Sequence, residues 1–272
     1  MAQFMNFPTS RERVLTWDRT QIGIIPDICL VSHFQVGTWQ VLYRPTETGN
    51  VKRWGLPLMI PNFLSLTNGI FLEKGTSLPI YGFGRNLPWL ITEMSKTTIS
   101  LQLKSSNATR RDYPYEFTFT TKIEAGDGML THTLTMENRS EEAMPIAPGF
   151  HPYFAVAQEQ KCALITDGPP GFSMRDFDWI ERIPNNPYPF PHIVNVQIPE
   201  CGILTIEELP QNGKYSLRNM QIWSEPPTRP DHDFVCFSPT IGSEDALNRP
   251  ADRLTIEPNN SHIIMLQLRT RL

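Results

Sequence analysis

The stretch YEFTFTTKIEAGDGMLTHTLTME, Tyr115–Glu137, decides the fold. Tyr115, Phe117, Phe119, Thr121 and Ile123 share one face, while Glu116, Thr118, Thr120, Lys122 and Glu124 share the other. This period of two predicts a strand with one face in a core and one in water. Leu130, His132, Leu134 and Met136 repeat the pattern in the second half. Between the halves, AGDG (Ala125–Gly128) predicts a hairpin, because Asp-Gly tolerates positive φ. Working outward, TTISLQLKS (Thr97–Ser105) and HIIMLQLRTRL (His262–Leu272) alternate in the same way. Shorter strand-like runs are ICLVSHF, TWQVLYR, CALIT, IVNVQI, GILTI, MQIW and FVCF, and no long helical stripe accompanies them. The expectation is an all-β chain: one large antiparallel β-sandwich of two twisted sheets, with few or no long helices. No internal repeat or compositional break divides residues 1–272, so a single domain is expected.

Composition narrows the function. The chain has 272 residues, 40% of them hydrophobic and 19% charged, enough for a substantial core. Its net charge of −4 and the lack of a basic block argue against nucleic acid or an anionic membrane as partner. No apolar run approaches the ~20 residues of a membrane span. The opening MAQFMNFPTSRERVL lacks the apolar centre of a secretory leader. Cys29, Cys162, Cys201 and Cys236 are scattered without a CxxC pair, which reads as four reduced, core-packed cysteines in a cytosolic protein. No His/carboxylate spacing suggests a metal, and no cofactor is expected. The proline-rich segments Asp167–Pro199 and Glu225–Asp233 read as long ordered loops, either the rim of a binding site or caps on the sandwich.

The densest unusual segment is MPIAPGFHPYFAV, Met144–Val156. Gly149 permits a bend and Pro152 restricts the backbone of His151, so an imidazole is aimed from a rigid edge. Tyr153 and Phe154 beside it offer an apolar wall of the kind a sugar ring stacks on. Trp54, Trp89 and Trp223 are further stacking candidates, with core packing as the alternative for each. His132, on the apolar face of its strand, reads as a core histidine.

These residues resemble a known family. NRSEEAMPIAPGFHPYF (Asn138–Phe154) is similar to the stretch in aldose 1-epimerases, the galactose mutarotase-like family, and closest to its glucose-6-phosphate 1-epimerase-like branch. KRWGLPLMIPNF (Lys52–Phe63) resembles a segment that places Arg53 on a binding-site arginine, and YGFGRNLPW (Tyr81–Trp89) one that places Arg85 on a second. DFVCFSPTIGSEDALN and LTIEPNNSHIIMLQL resemble the family's endings. The resemblance implies a β-sandwich and a cofactor-free reaction, the interconversion of the α and β anomers of an aldose. A base takes the proton from the C1 hydroxyl, an acid protonates the ring oxygen, the ring opens, and it recloses on the other face. The family's histidine at His151 is the acid, and a glutamate before the late proline is the base.

The chain departs from that pattern twice. Ser238 stands where the base is expected, and an unactivated hydroxyl is no base near neutral pH. Tyr81 stands where a second histidine is expected; it stays neutral and serves only as a hydrogen-bonding partner. Glu244 is a candidate replacement base, although Ser243 reads as an N-cap with Glu244 and Asp245 in the first turn of a short helix. Asp176, Asp178 and Asp231 remain open for the family's site aspartate. The expected catalytic pair is therefore His151 and Glu244, and the expected substrate contacts are Arg53, Tyr81, Arg85 and Ser238. Arginine pairs bidentately with phosphate and carboxylate, so two of them suit a hexose phosphate or an acidic sugar. The alternative is a silent sugar-binding or sensing protein, a pseudoenzyme that lost its base.

Overall fold

A computed structural model describes residues 12–45 and 53–272. The N-terminal residues read for a leader, up to residue 11, lie outside the described residues, as does Lys52. Two large antiparallel sheets carry the architecture. The ten-stranded sheet runs Arg13–Trp17, Thr20–Ile25, Leu30–Val36, Leu56–Met59, Gly149–Phe150, Phe234–Thr240, Asn219–Trp223 and Asn185–Pro189, with Trp39–Gln40 and Tyr153–Ala155 pairing off this path. The eight-stranded sheet runs Ile165–Thr166, Ile193–Ile198, Gly202–Leu209, Ser261–Arg271, Met129–Asn138, Phe117–Gly126, Thr98–Lys104 and Leu90–Met94.

The hairpin forms where alternation placed it. Phe117–Gly126 pairs with Met129–Asn138 down to Gly126↔Met129, so Asp127 and Gly128 make the turn, with Gly128 at φ 58. Phe119, Ile123, Leu130 and Leu134 are fully buried in one continuous core, together with Leu15, Ile22 and Phe34 of the other sheet. The inner faces of the two sheets thus share one apolar layer, as a sandwich requires. One short α-helix, Asn107–Asp112, is closed by a capping box in which Ser106 accepts from the Thr109 N–H.

Three local expectations are corrected. Asp167–Pro199 is not only loop: Asn185–Pro189 (NNPYP) is the edge strand of the ten-stranded sheet, a place where Pro187 and Pro189 interrupt no inner ladder. Ser243 is not an N-cap. The short 3-10 turn is Ala246–Asn248, preceded by Asp245 at φ 61, and the Ser243 hydroxyl instead accepts from Arg249 Nη2 at 2.9 Å. Of the four cysteines only Cys29 and Cys236 are buried; Cys162 is exposed. Among the described residues no helix is long and apolar enough to cross a membrane.

Candidate functional site

The site lies on the outer face of the ten-stranded sheet, and strand alternation puts it there. In Phe234–Thr240 every residue is buried, because both faces are covered. Val235 and Phe237 join the inter-sheet core, whereas Phe234 and Cys236 pack in a separate cluster with Tyr153, Trp223 and Tyr43. Ser238 follows on that outer face by the same period. In the neighbouring strand Met220 and Ile222 point inward, leaving Gln221 opposite Ser238 and Trp223 opposite Cys236. His151 lies between Phe150, which is in the core, and Tyr153, which is in the outer cluster. Its backbone N–H donates to the Pro57 carbonyl at 3.1 Å. Gly149 is required just before it: a Cβ there would stand 2.5 Å from the Phe63 ring.

Rings surround the imidazole. Tyr81 stacks on His151 with centroids 5.7 Å apart and 26° between planes, and Phe63 meets it edge-on at 5.5 Å. Tyr153 lies at 4.7 Å and Trp223 at 5.9 Å. His151 Nδ1 and Ser238 Oγ are hydrogen-bonded at 2.7 Å. This burial pushes His151 down to about 3, with the Arg85 charge adding to the effect, so the ring is neutral at neutral pH. Ser238 is fully buried and lies behind His151, not on the cavity wall; its contact is to the imidazole.

Tyr81 reaches His151 because the chain turns sharply at Tyr81-Gly82. Both residues take positive φ, and a Cβ on Gly82 would stand 2.2 Å from the Ile60 carbonyl oxygen. Burial raises the Tyr81 phenol above its ordinary value, so it remains protonated. Arg85 lies over the Tyr81 ring, 4.9 Å from its centroid. Its Nε is buried without a hydrogen-bond partner, and it makes no ion pair among the described residues. Arg53 differs. Its Nη1 is 2.6 Å from Glu225 Oε1, and its guanidinium lies 5.7 Å from the Trp223 centroid. Of the two expected arginines, Arg53 is engaged by a carboxylate and Arg85 is not.

A cavity of about 760 Å³ opens beside His151, Tyr81 and Trp223, within the ~300–1,000 Å³ of small-molecule sites. Arg53 and Arg85, expected as substrate contacts, are not on its wall and reach it only through the Trp223 and Tyr81 rings they cover. His151, Tyr81, Trp223, Gln221, Asn185 and Glu244 are among its walls. Glu244, six positions after Ser238 in sequence, therefore shares the cavity with His151, and its Oε1 accepts from the Ser65 hydroxyl at 2.5 Å. Neighbouring Asp245 also lines the cavity but is bound to the Thr67 N–H and Asn248 Nδ2.

The three open aspartates are not on this wall. Asp178 accepts backbone N–H bonds from Ile180, Glu181 and Arg182, which hold it well below the usual carboxylate range. Asp231 accepts from the Tyr43 hydroxyl at 3.2 Å, and Asp176 ends a 3-10 turn. Trp89 is in the main core and Trp54 packs with Ile28 and Leu30; only Trp223 of the three faces the cavity. His132 is a core residue, fully buried. Sequence reading missed Gln221, Asn185 and Glu225. The first was accessible in principle: within MQIW, the polar residue between Met220 and Ile222 marks the face opposite the core.

A model of the aldose 1-epimerase family matches residues 69–168, which include Tyr81, Arg85 and His151. A putative glucose-6-phosphate 1-epimerase of Salmonella typhimurium is 33% identical over 135 residues, 47% of this chain and 42% of the relative. The match thus spans less than half the length of that curated relative. A crystal structure of a protein from Synechocystis sp. PCC 6803 superposes with a TM-score of 0.83 at 18% identity, covering 98% of this chain and 99% of that one. A putative aldose 1-epimerase from Escherichia coli K12 superposes at 0.78 with 16% identity, covering 96% and 99%. At such identities the structures speak for the fold alone. The chain thus resembles the aldose 1-epimerase family in sequence across residues 69–168 and has the galactose mutarotase-like fold.

Proposed function

We propose that this chain is an aldose 1-epimerase-type isomerase that takes an anionic sugar, with a hexose phosphate such as glucose 6-phosphate as the leading candidate. The single observation that carries the reading is the placement of His151 and Glu244 on one cavity of sugar size. The anionic class is supported by Arg85, a half-buried cation behind the Tyr81 ring of the cavity wall with no carboxylate of its own among the described residues, and by the substrate for which the Salmonella relative is named. Rings of Tyr81 and Trp223 supply faces for the sugar's C–H groups.

In the proposed reaction the Glu244 carboxylate takes the proton of the C1 hydroxyl. The C1–O5 bond breaks as His151, which takes up a solvent proton when the anionic sugar binds, gives that proton to the ring oxygen, leaving an open-chain aldehyde. After rotation about C1–C2 the O5 hydroxyl attacks the other face, His151 takes its proton back, and Glu244 returns a proton to O1. Atoms and charges balance without a cofactor. Ser238 acts only through His151, by fixing its ring at Nδ1.

One observation favours a second reading, a binding protein without turnover. Burial leaves the free His151 neutral, short of the proton that the ring oxygen needs. Anomer exchange by NMR on glucose, galactose and glucose 6-phosphate separates the two. Exchange of glucose 6-phosphate above the buffer rate, abolished by His151→Ala, is the expected outcome. Line broadening of the sugar without faster exchange would establish the binder, and neither effect would sink both.

A further inference from the structure

Lys161 is fully buried, yet no carboxylate pairs with it among the described residues. Its side chain rises from the 3-10 segment Gln158–Ala163 and its Nζ meets three neutral oxygens. It donates to Ser224 Oγ at 2.9 Å, to the Glu225 carbonyl at 3.4 Å and to the His232 carbonyl at 2.5 Å. Three acceptors match the three N–H bonds of an ammonium. They belong to the two ends of the proline-rich loop 225–233: Ser224 and Glu225 lead into it, and His232 leads out. Ser224 Oγ in turn donates to the Phe234 carbonyl at 2.7 Å. The same segment grips the exit again, through Gln158 N–H to Asp233 Oδ1 at 2.9 Å and Val156 N–H to the Asp233 carbonyl at 3.1 Å. It also holds the other proline-rich segment, through Gln158 Nε2 to the Trp179 carbonyl at 2.6 Å.

The tied loop borders the cavity wall through Glu225. Glu225 holds Arg53 over the Trp223 ring, which lines the cavity. Asp231 is fixed by Tyr43, whose ring packs on Phe234. We infer that Lys161 is a positioning residue of this site: its ammonium closes the 225–233 loop at both ends, and the closed loop holds Glu225 and Arg53 against the Trp223 wall of the cavity. The inference rests on the reading that this cavity takes a sugar phosphate.

Burial pulls the Lys161 ammonium down to about 8, against the opposing pull of Asp233, Cys236 and Glu225. Those three groups and the His232 carbonyl face it, and burial keeps the Cys236 thiol protonated well above this range. Above about pH 8 the neutral amine has two donors for three acceptors, so the loop loses one tie.

Hydrogen exchange of the 225–233 amides tests the clamp without any sugar. Lys161→Met is expected to speed exchange there about tenfold and to leave the Phe117–Asn138 hairpin unchanged; equal exchange in the loop overturns the clamp. Titration with glucose 6-phosphate tests the link to the site. The variant is expected to bind about tenfold more weakly, with a raised KM for anomer exchange and little change in kcat. Faster loop exchange with unchanged affinity overturns the positioning role. Wild-type affinity followed from about pH 7 to about pH 9.5 needs no variant, and so stands if Lys161→Met fails to fold. It is expected to weaken across pH 8, and a flat profile overturns the role. A wild type that neither binds nor turns over glucose 6-phosphate sinks the functional reading and the positioning role together, while a loop freed in Lys161→Met would still establish the clamp.

Discussion

His132 and His151 are alike by every local measure. Both are buried, both are pushed down to about 3 by that burial, and each ring is hydrogen-bonded to a hydroxyl, Thr121 Oγ1 at 2.5 Å and Ser238 Oγ at 2.7 Å. They lie on opposite sides of the ten-stranded sheet. His132 stands in the layer between the sheets, edge-on to Phe150, with its Nδ1 unpartnered. His151 stands on the outer face, under a cavity that also holds a carboxylate. A buried histidine on a hydroxyl is therefore not by itself a site; what distinguishes His151 is the space above it and the groups that share that space.

The sharpest way to break this comparison is to delete each ring. His151→Ala is expected to lower the catalysed part of glucose 6-phosphate anomer exchange by ~10²–10⁴-fold, with a smaller loss of stability than the core deletion because water from the bordering cavity can fill the space the ring leaves. His132→Ala is expected to do the reverse, since it opens a hole in a packed layer: a loss of ~3 kcal/mol of stability and near-normal exchange per folded molecule. Thermal melts and NMR exchange on both variants check the pair. If His132→Ala abolished exchange in a folded protein, the division into core and site would fail.

The two regions were also unequally legible in the amino-acid sequence. The hairpin around His132 is covered on one face only, so apolar and polar residues alternate and its register can be read directly. The strands under the site are covered on both faces, so FVCFSPT and LPLM are buried throughout and alternation in polarity is lost. The proline richness of Asp167–Pro199 reads as long loop, and only the pairing with Asn219–Trp223 makes NNPYP an edge strand. His151, Tyr81 and Arg85 were found from their motifs, and they do meet. The pairing of Arg53 with Glu225 and the row from Gln221 to Ser238 depend on contacts between distant segments, which no local pattern encodes. Ser243 is not an N-cap because the turn begins three residues later, after Asp245 at φ 61, which leaves the Ser243 hydroxyl to Arg249.

Acid sharpens the comparison next. Both rings are held below the ordinary histidine value of 6.5. Between about pH 3 and 6.5 the unfolded chain therefore binds protons that the folded chain does not. The contribution is complete above pH ~6.5 and is lost as pH falls toward 3, with a limiting slope of ~1.4 kcal/mol per unit for each ring. Urea unfolding at pH 7 and pH ~4.5 is expected to show this loss, and His132→Leu is expected to remove about half of the slope that the two rings contribute. Saturating glucose 6-phosphate is expected to alter the His151 share alone, because only that ring borders the cavity. An unchanged slope in His132→Leu would mean that the core ring is not buried in its neutral form.

The smallest expected effect separates the two hydroxyls. Thr121→Val and Ser238→Ala each remove one hydrogen bond to a buried imidazole, so each is expected to cost ~1 kcal/mol in unfolding. Their consequences for the reaction should differ. Thr121 bonds the core ring and also donates to the Thr133 carbonyl at 3.2 Å, both away from the cavity, and its variant is expected to leave anomer exchange and its pH profile unchanged. Ser238 fixes the ring orientation that aims His151 at the cavity, so Ser238→Ala is expected to lower exchange severalfold and to shift the acid limb of the profile. Equal kinetics in the two variants would mean that Ser238 only packs. A shift confined to Ser238→Ala would show that this serine does its work through the histidine rather than on the sugar.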